Sequence, residues 1–588
     1  MSKKFIIFNV LSLIFSLIFA IFQIRFAKDI SVVAFPLAII FTLIVIFVFV
    51  KKICFDVNLN YISVIKKLYQ YLPFVFLCSF IFRRAGNEGT AYWYDLVTVI
   101  LWVCVFVFSS IALFYLSEKR VFVQNPAFEA VKDKYPVVKL TGGKKVLFET
   151  LDWIDAFVQA AFTVILINIF VFQLYEIPSE SMVPEFLVKD RVVVFKTASA
   201  PKFPLSEVGL PTMKNYKRGD IVVFRNPHYD SSRKSEVKNF VSQLVYMLTF
   251  TTVNLNVDEN GNLKADPLVK RVTGVPGEQL MMQDGILYSR TADNPEFMPV
   301  TEDSLWAEWN VAGIPALTKN RIIDIPLTED QYKTLLEVEN LRNNLDLEAV
   351  AKECKEIASK FTSIRDTYNF SSMLDSKDEI PELFSKEELT IYNMFSNDIV
   401  ITLKLLSVTG GAEWLNQFLT SWISSTPENN LYDEAMFKLD VMSKLEIGKI
   451  ILRNAELNLE GASSNERRGD SVRQAALEMG NKLYMYSVLN NSRNMPIFPA
   501  NDSNGNPQYI PANNYFMMGD NRFNSLDMRH SYEEKLIPMT TADSTSLYYY
   551  SSVEPQYVSD NKILGTPVLR FLPLNRFGIP GLTGEKSN

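Results

Sequence analysis

Apolar runs of about 20 residues fill the chain up to residue 175, and short runs alternating with polar residues replace them afterwards. A run of that length crosses a bilayer as a helix. Four such spans are Phe5–Ile24, Ile30–Val50, Trp93–Leu116 and Trp153–Tyr175. A fifth candidate, Leu68–Phe82, is shorter and holds Pro73, so the pattern gives four or five spans. Lys3 and Lys4 precede the first run as they would in a signal peptide. That run is too long for a signal core, however, and leads straight into a second span.

Charge sets the orientation. With five spans and an inside N-terminus, 13 basic residues fall inside, among them Lys51, Lys52, Lys66, Lys67 and those of the 117–151 loop. Arg25, Lys28, Arg83 and Arg84 fall outside, the asymmetry expected of cytoplasmic loops. Everything from Glu176 onward is then extracytoplasmic, and this last exit holds with either span count.

Beyond residue 176, Arg191–Lys196, Ile221–Phe224, Val269–Thr273, Tyr515–Met518 and Val568–Leu572 read as strands. Gln283-Asp284-Gly285 reads as a hairpin turn between two apolar stretches. Thr328–Gln331 and Ser385–Glu388 match capping boxes that open helices, and Gly410-Gly411 matches a helix stop. The pattern predicts a membrane domain over 1–120 with three to four helices, a cytoplasmic loop over 121–152 and a last span over 153–175. A mostly β domain follows, in two parts, 176–325 and 491–588, split by a helical insertion over 326–490. The fold class is thus a multi-pass α-helical membrane domain plus a mostly β extracytoplasmic domain. Phe240–Val253, inside a smaller insertion, is too short for a span and too apolar for a free loop. It reads either as a segment dipping into the membrane interface or as a buried core element.

Composition narrows the chemistry. A net charge of −6 gives no case for nucleic-acid binding. Cys54, Cys78 and Cys104 lie in or beside apolar runs, and Cys354 alone in the polar part supports neither a disulfide framework nor a cysteine-based zinc site there. The chain holds two histidines, His228 and His530, so a nucleophilic serine has little choice of the usual base.

YEIPSESMVPEF, residues 175–186, nevertheless places Ser179 and Ser181 between Pro178 and Pro184 where the last span ends. Alone, this is either a reactive bend or a turn capping a membrane helix. Lys270, in DPLVKRVTGVPGE, can serve as a base if burial lowers its pKa, although most strand lysines are only solvated charges. MMGDNRFNSLDMRH, residues 517–530, crowds Asp520, Arg522, Ser525, Asp527 and Arg529 together, which alone could be an ion-paired loop.

Taken in order, IPSESMVPEF (177–186), RGDIVVFRNP (218–227), VKRVTGVPGE (269–278) and GDNRFNSLDMR (519–529) closely resemble the four boxes of bacterial type I signal peptidases. These are membrane-bound serine proteases with a Ser–Lys dyad. The resemblance covers 153–290 and 505–578 and leaves the first spans and the insertion unexplained. It implies Ser181 as nucleophile and Lys270 as general base. Ser179 would donate, with the Ser181 N–H, to the oxyanion, and Ser525 would hydrogen-bond and orient Lys270. Asp520 with Arg271, and Asp527 with Arg529, would brace the site, and Ile177, Met182, Leu268 and Val269 would line pockets for small residues such as Ala.

Three positions depart from the family pattern: Glu180 where Gly is common, Leu268 where an aromatic is common, and Phe523 where a polar residue is usual. The expected reaction removes signal peptides from exported preproteins through an acyl-enzyme at Ser181, with no metal or organic cofactor. The expected partners are those preproteins, the lipid bilayer and the export machinery, with no nucleic acid; the expected place is the inner membrane. Two rivals remain: a soluble Ser–Lys self-cleaving repressor, disfavoured by the spans, and a catalytically inactive membrane scaffold, disfavoured by the presence of both dyad residues.

Overall fold

The computed structural model describes residues 2–25, 34–85, 91–135, 141–229, 232–249, 253, 255, 264–367 and 383–581. Ile30, Lys28, Lys139 and most of 250–263 lie outside the described residues. Among the described residues, five helices are long and apolar enough to cross a membrane. They are α1 (Lys3–Arg25), α2 (Ala34–Phe47, continued by a π-helical stretch Val48–Phe55), α3 (Asn60–Arg84), α4 (Tyr92–Tyr115) and α5 (Gly143–Phe170).

The short candidate around Pro73 is thus a full-length helix. Pro73 removes one backbone donor, and its own carbonyl accepts from Trp102 Nε1 of α4 at 2.8 Å. Two expected boundaries move. The 121–152 loop gives way to α5 at Gly143, where Lys145 and Glu149 pair one turn apart at 3.7 Å. At its other end α5 stops at Phe170, not Tyr175, because Phe172–Glu176 forms strand β1 and pairs antiparallel with β2 (Arg191–Phe195).

The ends of the bundle differ. At one end Tyr94 donates its hydroxyl to Phe22 O at 2.8 Å, and Arg83 donates to Gln23 O. There too Phe203, from the loop after β2, packs its ring on Phe80, Trp102 and Phe170. Ser206 of the same loop donates to Asp95 Oδ2 at 2.6 Å, and Asp95 Oδ1 takes Arg84 at 2.5 Å. The far end carries Lys67, paired with Asp152 and Asp155 of α5 at 3.3 and 3.2 Å.

The polar half is built on a curled, seven-stranded antiparallel sheet in the order β1-β2-β13-β3-β4-β9-β12. Its remaining strands are β3 (Ile221–Phe224), β4 (Leu268–Gly274), β9 (Asn514–Met518), β12 (Val558–Ser559) and β13 (Ile563–Leu572). β2 alternates buried and outward positions, as a strand covered on one face does. β3 is buried at all four residues, so it lies central with both faces covered. A second sheet, β7-β6-β5-β8, contains β5 (Glu278–Gln283), β6 (Ile286–Thr291), β7 (Met298–Pro299) and β8 (Met495–Phe498). Asp284 and Gly285 join β5 to β6 with φ of 54° and 78°, the left-handed pair that a two-residue hairpin turn requires.

Between β7 and β8 the described residues are mostly helical. α6 (Arg233–Leu248) lies earlier, between β3 and β4, and within it Val241 is exposed while Ser242 is buried. The principal helices after β7 are α7 (Glu329–Asn343), α8 (Leu347–Thr367), α9 (Asp398–Ser407), α10 (Gly411–Thr420), α11 (Leu431–Leu459) and α12 (Ser471–Arg493). Thr328 and Gln331 form the reciprocal capping box that opens α7. Ser385 and Glu388 bond reciprocally as well, but they close a turn; the next helix starts at Ile391, capped by Thr390. Gly410 follows the end of α9 and, at φ 85°, enters α10. The helical core does not end at residue 490. It includes Met539, Leu547 and Tyr549, from the hairpin of β10 (His530–Pro538) and β11 (Tyr548–Val553) and its turn. Lys444 of α11, fully buried, pairs with Asp543 of that turn.

Candidate active site

Lys270 lies in β4 opposite Val222 of β3, and the pairing of β4 with β9 begins at the next residue, Arg271. Alternation along β4 turns Lys270 to the same face as Leu268 and Val272, both part of an apolar cluster with Val222 and Met517. Lys270 is 3% exposed. Burial, only partly offset by the carboxylates of Asp527 and Asp520, brings its pKa down to about 8.

Ser181 is 8% exposed, and its Oγ lies 2.5 Å from Lys270 Nζ. Ser179 Oγ is 3.4 Å from Ser181 Oγ. Asn521 clamps the serine segment from the last box, its N–H donating to Ser181 O and its amide to Glu180 O, each at 3.1 Å. Gly519 makes this approach possible: a Cβ there would lie 2.4 Å from Ser181 O and 2.2 Å from Ser525 Oγ.

Ser525 does not meet Lys270. Its hydroxyl donates to Asp527 Oδ2 at 2.8 Å, the strongest acceptor within reach, and among the described residues no hydrogen bond joins it to the amine. Asp527 also accepts from the Gly519 N–H at 2.9 Å and from Arg529 Nε and Nη2 at 2.8 and 2.9 Å. Burial works against the Asp527 carboxylate, but Arg529 overrides it and holds the group well below the usual carboxylate range. Asp520 takes Arg271 in a two-pronged pair at 2.8 and 2.6 Å, and Arg271 also reaches Gly219 O at 2.9 Å.

The four expected pocket residues divide. Ile177 and Met182, 3% and 1% exposed, pack with Val192, Val194 and partly buried Val269, whereas Leu268 belongs to the neighbouring cluster. Successive residues of a strand face opposite sides, so Leu268 and Val269 cannot share a wall of the sheet.

Sequence reasoning missed Asp303, which pairs with Arg522 at 2.9 and 2.5 Å, both side chains buried. The signal was there: with Asp520 assigned to Arg271 and Asp527 to Arg529, Arg522 lacked a carboxylate. It also missed what Glu180 does. The Glu180 carboxylate accepts the Ile323 N–H and, at 3.0 Å, the Asp324 N–H. Among the described residues no cluster of three or more His, Cys, Asp or Glu side chains is disposed to hold a metal ion.

Residues 150–304, which hold the serine, the lysine and Asp303, match the family described as signal peptidase, peptidase S26. Over that segment the chain is similar to signal peptidases. It is 34% identical over 84 residues to a protein named signal peptidase I from Buchnera aphidicola subsp. Schizaphis graminum, covering 14% of this chain and 26% of the relative. Signal peptidase I of Buchnera aphidicola subsp. Baizongia pistaciae is 31% identical over 113 residues, 17% of this chain and 34% of the relative. That of subsp. Acyrthosiphon pisum is 30% identical over 134 residues, 22% of this chain and 38% of the relative. The chain thus spans roughly a quarter to two-fifths of the relatives' length, and the family match ends before the helices that begin at Glu329.

Proposed function

We propose that this chain is a signal peptidase, a membrane-bound serine endopeptidase that removes signal peptides from exported preproteins. The observation that carries the reading is the 2.5 Å approach of buried Lys270 Nζ to Ser181 Oγ. An amine with a pKa of about 8 is neutral in a substantial fraction of molecules just above neutrality and can take a hydroxyl proton. In the proposed reaction Ser181 attacks the scissile carbonyl while Lys270 accepts its proton. The tetrahedral oxyanion is met by the Ser181 N–H and the Ser179 hydroxyl. Lys270 returns the proton to the leaving amine, which departs as the mature protein. Water, deprotonated by Lys270, then frees the signal peptide from Ser181.

Asp520, Arg271, Asp527 and Arg529 act as bracing groups in this reading, and Ser525 acts through Asp527 rather than on the amine itself. The substrate backbone would lie extended against the sheet, its small residues near Ile177, Met182 and Val269, with Leu268 on the other face. Membrane attachment is supported by the five apolar helices. An extracytoplasmic catalytic half in the inner membrane is supported by the docking of Phe203 and Ser206 on the bundle end opposite Lys67, together with the charge asymmetry of the loops.

The test is cleavage of a preprotein by purified protein. Parent protein should release the mature chain and Ser181→Ala should not; equal cleavage by both would sink the reading.

A further inference from the structure

We propose that a cavity between the membrane helices and the sheet domain binds the phosphate of an anionic phospholipid. The cavity has a volume of about 610 Å³ and none of its lining residues belongs to the Ser–Lys pair or the ion pairs around it. One wall is the first turn of α4, with Tyr92 and Asp95, and the last turns of α5, with Ile165, Asn168 and Ile169. It therefore lies where two membrane-spanning helices end, and the proposal rests on their spanning.

The lining carries both apolar and cationic side chains. Ile165 and Ile169 of α5 line it with Phe240 and Leu244 of α6, apolar groups suited to acyl chains. Lys196, Arg225, Arg233 and Lys562 line it as well.

Charge accounting leaves two of these cations over. Asp266 pairs with Arg225 at 3.3 Å, Glu236 with Arg233 at 3.0 Å, Glu207 with Lys202, and Asp95 with Arg84 at 2.5 Å. Among the described residues no carboxylate lies within ion-pair distance of Lys196 or Lys562. Lys196 spends two donors on neutral acceptors, Asn168 O at 3.0 Å and Gln173 Oε1 at 3.2 Å, and keeps a third. Burial pulls its pKa down to about 8, the mark of a cation held without a counter-charge. The Lys562 side chain donates to no described residue. A phosphate diester satisfies both amines at once, and its acyl chains have the α5 surface beside them. Free phosphate would satisfy the amines but leave the apolar groups wet.

The experiment is native mass spectrometry of the full chain in a neutral detergent. Phosphatidylglycerol, phosphatidylcholine and inorganic phosphate are added in separate arms. Retention of one phosphatidylglycerol is expected, with phosphatidylcholine lost at lower activation. Losing two charge-assisted contacts in Lys196→Gln/Lys562→Gln should weaken retention at least about tenfold. Lys562→Gln alone, at a half-buried side chain whose loss leaves the fold intact, should weaken it in part. Lys535→Gln on β10 and Ser181→Ala should retain the lipid as the parent does, which separates this proposal from the peptidase reading. Undiminished retention in both lysine variants, equal retention of phosphatidylcholine, or displacement of the lipid by millimolar inorganic phosphate would each overturn it.

Discussion

Lys270 Nζ lies 2.5 Å from Ser181 Oγ, and among the described residues no carboxylate stands within ion-pair distance of that nitrogen. A buried ammonium so placed gains little from its surroundings, while a neutral amine gains a hydrogen bond from the serine hydroxyl. The nearest carboxylates are occupied elsewhere: Asp520 by Arg271 and Asp527 by Arg529. These pairs therefore keep negative charge from reaching Lys270 in full, as well as stiffening the loop.

The pH–rate profile should reflect this. For a short peptide substrate kcat/KM is expected to rise with pH to a midpoint near the Lys270 pKa of about 8 and then level off. Lys270→Arg, which cannot lose its proton in this range, should be inactive at every pH. Near-normal turnover by Lys270→Arg would reduce the lysine to an electrostatic prop.

The same lysine should cost the fold stability. Its folded pKa of about 8 lies below the value of roughly 10.4 in an unfolded chain, so the unfolded state holds the proton longer. The penalty is full below pH 8 and fades as pH rises from 8 towards 10.4. Lys270→Met should therefore be inactive yet at least as stable as the parent at pH 7, by urea unfolding, with the gap closing at alkaline pH. A less stable Lys270→Met at pH 7 would contradict the burial argument.

Asp303 gives a test of a buried ion pair far from Ser181 in sequence. Asp303→Asn leaves the Arg522 guanidinium buried without a counter-charge, at a cost of about 3–5 kcal/mol. Glu302→Gln, next door, removes a solvent-exposed carboxylate 3.5 Å from Arg218 and should cost about 1 kcal/mol or less. Denaturation midpoints of the two variants decide, and equal midpoints would mean that the Asp303 pair adds nothing.

The strands around Lys270 were legible because their signals are local. β-branched runs bounded by turn residues need only their own residues to form, and Ile221–Phe224 has the extent expected of it. Four of the five long apolar helices were legible for the same reason, while the one around Pro73 left the count open between four and five. What the chain pattern hid was non-local. Tyr175 looks like the end of a span until β2 is available to pair with β1. The hairpin at 530–553 reads as part of the β half, yet its buried residues Met539, Leu547 and Tyr549 lie in the helical core, and only the pairing of Lys444 with Asp543 reveals why. The contact of Ser181 with Lys270 could be anticipated from their boxes, while the hydrogen bond of Ser525 to Asp527 depended on a carboxylate's position in space.

The departures at Glu180 and Phe523 lead to the last prediction, because both touch chain that leads to the helices. Glu180 holds the amides of Ile323 and Asp324, and Arg321 beside them reaches Asp190 Oδ1 at 3.2 Å. Val311, Ile314 and Ile322 pack on Val183 and Leu187, just past Ser181. Phe523 stacks edge-on with Trp309 at 5.2 Å and with Tyr332 of α7 at 6.4 Å. A glycine at 180 would offer no acceptor, so this carboxylate ties the helical insertion to the serine segment. It also presents Ile323, 81% exposed, beside that segment. Glu180→Ala should speed hydrogen exchange at the Ile323 and Asp324 amides by about ten- to a hundredfold, the loss of one or two charge-assisted bonds. Since Lys270 and Ser181 keep their contact, turnover of a short peptide should fall by less than about tenfold, whereas the loss at Ser181→Ala is expected to be complete. Unchanged exchange at both amides would show that the strap is held by Arg321 and the apolar contacts, and that Glu180 has no part in it.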